Sequence, residues 1–106
     1  MNVQTSDTVT NSSLDSDFAD RANNVLRRVI DKQGHWVDVL WERSDLKQPL
    51  ELTLKDTEYH WEVSEQFIPE ECISDNSLEI RIRFLWGRFL QLRSQFYVAE
   101  MANQGD

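Results

Sequence analysis

The side chains able to do chemistry in this chain are few and scattered. Nucleophilic or acid–base catalysis needs a base oriented by a carboxylate and facing a pocket, and the sequence supplies only a loose set: His60, Glu62, Glu51 and Cys72. Any acidic sheet offers such a set, so no catalytic residue is assigned. Metal binding fares no better. His35 and His60 lie far apart, Cys72 is alone, and neither a HExxH nor a CxxC spacing occurs. The glycines stand singly at 34, 87 and 105, which leaves no phosphate loop and no dinucleotide fingerprint. No metal and no cofactor is therefore expected.

The more informative groups are cationic and aromatic. Ser77 to Val98 is the longest apolar segment and also carries Arg81, Arg83, Arg88 and Arg93. If this stretch is a hairpin, Arg81 and Arg93 face one another with Arg83 adjacent, and like charges directly opposite destabilise a sheet. They then need compensation. It can come from inside, through Glu79 or through Asp38, Glu42, Glu51 or Glu62 on a neighbouring strand, or from an anionic partner. Trp86 would sit beside Gly87 and Arg88 at the loop tip, where an indole is exposed unless a partner or the helix covers it. Trp41 and Trp61 read as core. The candidate binding residues are thus Trp86, Arg88, Arg81, Arg83 and Arg93.

The elements that must position these groups depend on how that stretch folds, because two periods compete in it. Leu78, Ile80, Ile82 and Phe84 alternate with Glu79, Arg81 and Arg83, the two-residue period of a half-buried strand. Leu78, Ile82, Leu85, Phe89, Leu92 and Phe96 instead recur at spacings of four and three, a helical seam. A three-residue loop of Trp86, Gly87 and Arg88 would set Phe84 opposite Leu90 and Ile82 opposite Leu92, keeping both apolar faces together. Gly87 suits a loop tip and costs about 1 kcal/mol inside a helix relative to alanine. The reading adopted is the hairpin, with a C-terminal helix as the alternative.

Upstream, the stretch 1–14 is rich in Ser, Thr, Asn and Asp and is expected to be a disordered tail. From Asp15 to Gln33, Phe18, Ala22, Val25, Leu26, Val29 and Ile30 form one apolar stripe. Aspartates come early and Arg27, Arg28 and Lys32 late, as the helix dipole prefers, with Asp15 or Ser16 as cap and Gly34 at the exit. His35 to Arg43 reads as a strand with Val37, Val39 and Trp41 on one face. Leu50, Leu52 and Leu54, then Tyr59, Trp61 and Val63, form a second hairpin in which Leu54 opposes Tyr59 and Leu52 opposes Trp61. Pro69 opens a helical turn that carries Cys72 and Ile73 inward. The residues from about 100 to 106 should fray.

The expected fold is α+β: one N-terminal amphipathic helix packed on an antiparallel sheet or open small barrel of about five strands, in a single domain over 15–99. The net charge of −8 is uneven, −9 over residues 1–75 and +3 over 76–99, which disfavours indiscriminate nucleic-acid binding. One cysteine fits a reducing compartment, and neither a signal peptide nor a membrane-spanning run is present, so a cytoplasmic location is expected. The leading functional expectation is a non-catalytic protein–protein interaction module, an accessory or regulatory subunit. The alternatives are phosphate or single-stranded nucleic-acid binding through Arg81, Arg83 and Arg93, and a small-molecule enzyme.

Overall fold

The computed structural model describes residues 1–71 and 73–104, with side chains through residue 99 apart from Cys72. The chain is α+β, with a four-stranded mixed sheet covered on one face by two long helices. Strand β1 (Asn2–Thr5) leads through the short helix α1 (Asp7–Thr10) into α2 (Ser13–Ile30). A 3₁₀ segment at Asp31–Trp36 precedes β2 (Val37–Glu42), β3 (Leu50–Asp56) and β4 (Glu62–Phe67). A 3₁₀ turn at Pro69–Glu71 then delivers the chain to α3 (Asp75–Gln104). The sheet order is β1-β2-β3-β4, with β1 parallel to β2 and the other pairs antiparallel.

Helix α2 forms as its stripe dictates. Phe18, Ala22, Val25, Leu26 and Ile30 are buried, and Ser12, rather than Asp15 or Ser16, is the cap, its hydroxyl accepting from the Asp15 N–H at 3.4 Å. Gly34 is not the helix exit; Asp31 takes the positive φ of 51° there. What Gly34 permits is close approach, since a Cβ on it would lie 2.8 Å from the Met1 nitrogen. In β2, Val37, Val39 and Trp41 all face the helices and are buried, as their alternation requires. The other sheet face carries Asp38, Leu40 and Glu42 with Glu51, Thr53 and Lys55, and of these six only Thr53 is buried.

Several expectations are corrected. The polar stretch 1–14 holds β1, α1 and the first two residues of α2, and Val9 is fully buried; β1 is an edge strand with Val3 alone partly inside, so its side chains give little signal. The amphipathic helix is accordingly not the first element. Among the described residues the sheet has four strands where about five were expected, and it is mixed, not wholly antiparallel, because β1 runs parallel to β2. The β3–β4 hairpin keeps the expected parity but pairs four residues further along, Leu54 with Val63 and Leu52 with Glu65. Asp56 explains this shift. Its Oδ1 accepts the N–H groups of Glu58 and Tyr59 at 2.8 and 2.9 Å, and His60 closes the loop at φ 63°. Tyr59 and Trp61 thereby lie in the loop, where the Trp61 carbonyl accepts the Asp56 N–H at 2.9 Å, and their rings meet α3.

The largest correction concerns residues 77–98, which form no hairpin. They lie within α3, a helix of 30 residues that runs along a molecule 53 Å long. Leu78, Ile82, Leu85 and Phe89 are fully buried against α2 and the sheet, so the helical seam prevails. Consecutive residues on a helix are about 100° apart, so residues i and i+2 sit about 200° apart. A helix that is apolar on two opposite faces therefore mimics a strand over two turns. The backbone helix continues through Gln104, where fraying was expected from about 100, and Gly105 and Asp106 lie outside the described residues, as does the expected inward position of Cys72.

Candidate functional site

The α3 arginines do not share one face, because a helix separates Arg81 from Arg83 by about 200°. Arg81 lies over the Phe67 ring at 4.3 Å, bonds the Glu65 carboxylate at 2.9 Å and also donates to the Gln66 carbonyl. Arg93 lies over the Trp36 ring at 4.4 Å and reaches Asp56 at 2.6 Å and Glu58 at 3.5 Å. These two cations are neutralised within the chain, though by partners other than the five acids named from the sequence. A hollow of about 390 Å³ beside Arg81 is lined by Pro49, Glu65, Gln66, Ile68 and Glu71, so its cation is already paired.

Trp86 is no exposed tip. It is 7% exposed and stacks on Phe89 with ring centroids 5.0 Å apart and planes at 12°. The aromatic packing continues outward through Trp61, 4.7 Å from Phe89, to Phe96, which stacks on Trp61 and Tyr59. The loop aromatics thus clamp the C-terminal half of α3 to the sheet.

On the opposite side of α3 lies an uncovered apolar strip. Ile80 is 48% exposed and Phe84 72%, and with Arg83, Gly87, Arg88 and Gln91 they line an open groove of about 440 Å³. The spacings of three and four along these positions repeat the inner seam, displaced by two residues. Gly87 leaves a notch in the middle. A Cβ placed there would meet nothing within 4 Å, and its φ is not positive, so neither crowding nor backbone conformation requires glycine.

The arginines flanking this strip differ from those beneath it. Arg88 is exposed and has no ion-pair partner among the described residues. Among the described residues Arg83 reaches only Glu79, at 3.8 Å, and that same carboxylate oxygen already lies 2.7 Å from Arg28. Of the candidate binding residues, then, Arg83 and Arg88 line one groove, Arg81 and Arg93 are ion-paired within the chain, and Trp86 is buried. Sequence reasoning missed Ile80, Phe84 and Gly87 by placing them in a hairpin. The available signal was that Ile80 and Phe84 fall outside the helical seam yet keep its spacing.

Among the described residues the loose acid–base set does not converge, and its Cys72 lies outside them. Glu62 pairs with Lys55 and Glu51 with Gln66, four positions apart along the ladder and so about 13 Å. His60 is exposed at the loop corner. Among the described residues no cluster of three or more metal-ligating side chains occurs, and no helix is long and apolar enough to cross a membrane.

Comparison with protein-family models, with curated proteins and with solved structures returned no match.

Proposed function

We propose that this protein is a non-catalytic, cytoplasmic protein–protein interaction module, an accessory or regulatory subunit, and that it docks its partner on the outer face of α3. The supporting observation is Gly87 in its setting. A glycine inside a helix costs about 1 kcal/mol relative to alanine, and nothing in the fold needs it. Its neighbours Ile80 and Phe84 leave apolar surface in water on the side of α3 away from the core. A partner that seats a side chain in the Gly87 notch and covers Phe84 accounts for both costs. Aromatic and arginine side chains are the types that dominate interface energetics, and Phe84, Arg83 and Arg88 lie together here.

The test separates folding from binding. Gly87→Ala should raise the unfolding free energy by about 0.5 to 1 kcal/mol, because it improves helix propensity without a clash. Gly87→Leu should also fold, and Phe84→Gln should change stability by no more than about 0.5 kcal/mol, as expected for an exposed position. Urea unfolding followed by circular dichroism measures all three. In pull-downs from the native host at physiological salt, the wild type should retain a protein partner that Gly87→Leu and Phe84→Gln lose. Recovery of no partner, or retention by both variants, would refute this reading.

A further inference from the structure

The outer strip of α3 also limits what can occupy it, and the following rests on the docking reading above. Its exposed positions follow the helix axis at spacings of three and four, so the strip is an open helix face about three turns long whose ridge is broken by a notch at Gly87. Ridges of one helix pack into the grooves of another, and a missing side chain lets the two backbones come closer. The charge around the groove is positive although the chain as a whole carries −8. Arg88 is unpaired among the described residues, and Arg83 competes with Arg28 for Glu79. From these observations we infer that the occupant is an amphipathic helix of a partner protein whose apolar stripe is flanked by carboxylates.

The energetics favour this occupant over a second copy of the chain. Two copies meeting face to face at Gly87 would bring four guanidiniums around one apolar contact, with only the shared Glu79 carboxylates to oppose them. An acidic helix instead offers Arg83 and Arg88 charge-assisted hydrogen bonds at the rim while its aliphatic side chains cover Ile80 and Phe84. The remaining α3 arginines would not take part, because Arg81 and Arg93 are held by Glu65 and Asp56. Recognition would be helix-in-groove, with anchors on the partner at helical spacing.

Two synthetic amphipathic helices test this, identical in their leucine stripe but flanked by Glu in one and by Lys in the other. Fluorescence anisotropy with the full-length chain at low salt should show the Glu-flanked helix binding at least about tenfold more tightly, with affinity falling as salt rises. Arg88→Glu, exposed and outside the core, should abolish that preference, and Gly87→Leu should weaken the Glu-flanked helix. Equal binding of both helices, or a preference that survives Arg88→Glu, overturns the acidic partner and leaves the docking face standing. If neither helix binds while the host pull-down still depends on Phe84, the helical occupant is wrong; if that dependence also fails, both readings fall. Sedimentation equilibrium provides the last arm: a wild-type dimer that Gly87→Leu converts to monomer would make the occupant a second copy instead.

Discussion

Arg43→Met is expected to lower the unfolding free energy by about 3 to 5 kcal/mol, the usual cost of removing one partner from a buried ion pair. Arg43 and Asp15 have side chains only 3% and 2% exposed and meet at 2.7 Å, joining the loop after β2 to the first turn of α2. The same guanidinium donates to the carbonyls of Asp45, Leu46 and Gln48 at 3.0 to 3.3 Å and to Glu70 at 3.1 Å. Methionine fills much of the volume but removes the donor from the Asp15 carboxylate and from the Leu46 and Gln48 carbonyls. Arg43→Lys should recover only part of the loss, because an ammonium cannot reach acceptors spread around a planar fork. Asp15→Leu should also destabilise, and the double variant Arg43→Met with Asp15→Leu should lose less than the two single losses combined, since no uncompensated buried charge remains. A loss below about 1 kcal/mol for Arg43→Met in urea denaturation would show that this hub is not what anchors the loop.

Trp86→Ala should be comparably severe, at about 3 to 5 kcal/mol, because it empties an aromatic site in a packed core. The indole is 7% exposed and lies flat against Phe89, which in turn touches Trp61, so the cavity would open beneath the seam of α3. Phe84, two residues earlier and 72% exposed, supplies the internal control: Phe84→Ala should cost no more than about 0.5 kcal/mol. Thermal unfolding of the pair distinguishes the two faces of the helix directly. If Trp86→Ala leaves the midpoint nearly unchanged while Phe84→Ala lowers it strongly, the face assignment is inverted and the docking strip is lost with it.

These predictions share a physical origin in the two apolar faces of α3. A helix with one apolar stripe can satisfy it within its own domain, whereas a second stripe on the opposite side must meet water or another molecule. In α3 the inner stripe runs through Leu78, Ile82, Leu85 and Phe89, and the outer one through Ile80, Phe84 and the Gly87 notch. On the proposed docking reading, stability and binding fall to different residues of one helix. Variants on the outer face can change partner affinity without unfolding the chain, and Gly87 is the position where the two are expected to move in opposite directions.

What the sequence by itself determined are the elements whose neighbours in sequence are also their neighbours in pattern. The stripe from Phe18 to Ile30 marks α2, and the alternations around Val37 to Trp41 and Leu50 to Leu54 mark β2 and β3, because a single buried face imposes a single period. Tertiary structure decided the remainder. Residues 78–84 satisfy both periods at once, and the choice fell to helix because that places Leu78, Ile82, Leu85 and Phe89 in one continuous seam against α2 and the sheet. Strand β1 is defined by its pairing with β2 and by Val3 against the core, and the β3–β4 loop is held by the Asp56 carboxylate and by the contacts of Tyr59 and Trp61 with α3. The roles of the arginines were decided last of all. Their sequence positions are nearly equivalent, and only the distances from Arg81 to Glu65, Arg93 to Asp56 and Arg83 to Glu79 show which charges the fold neutralises and which it leaves at the surface.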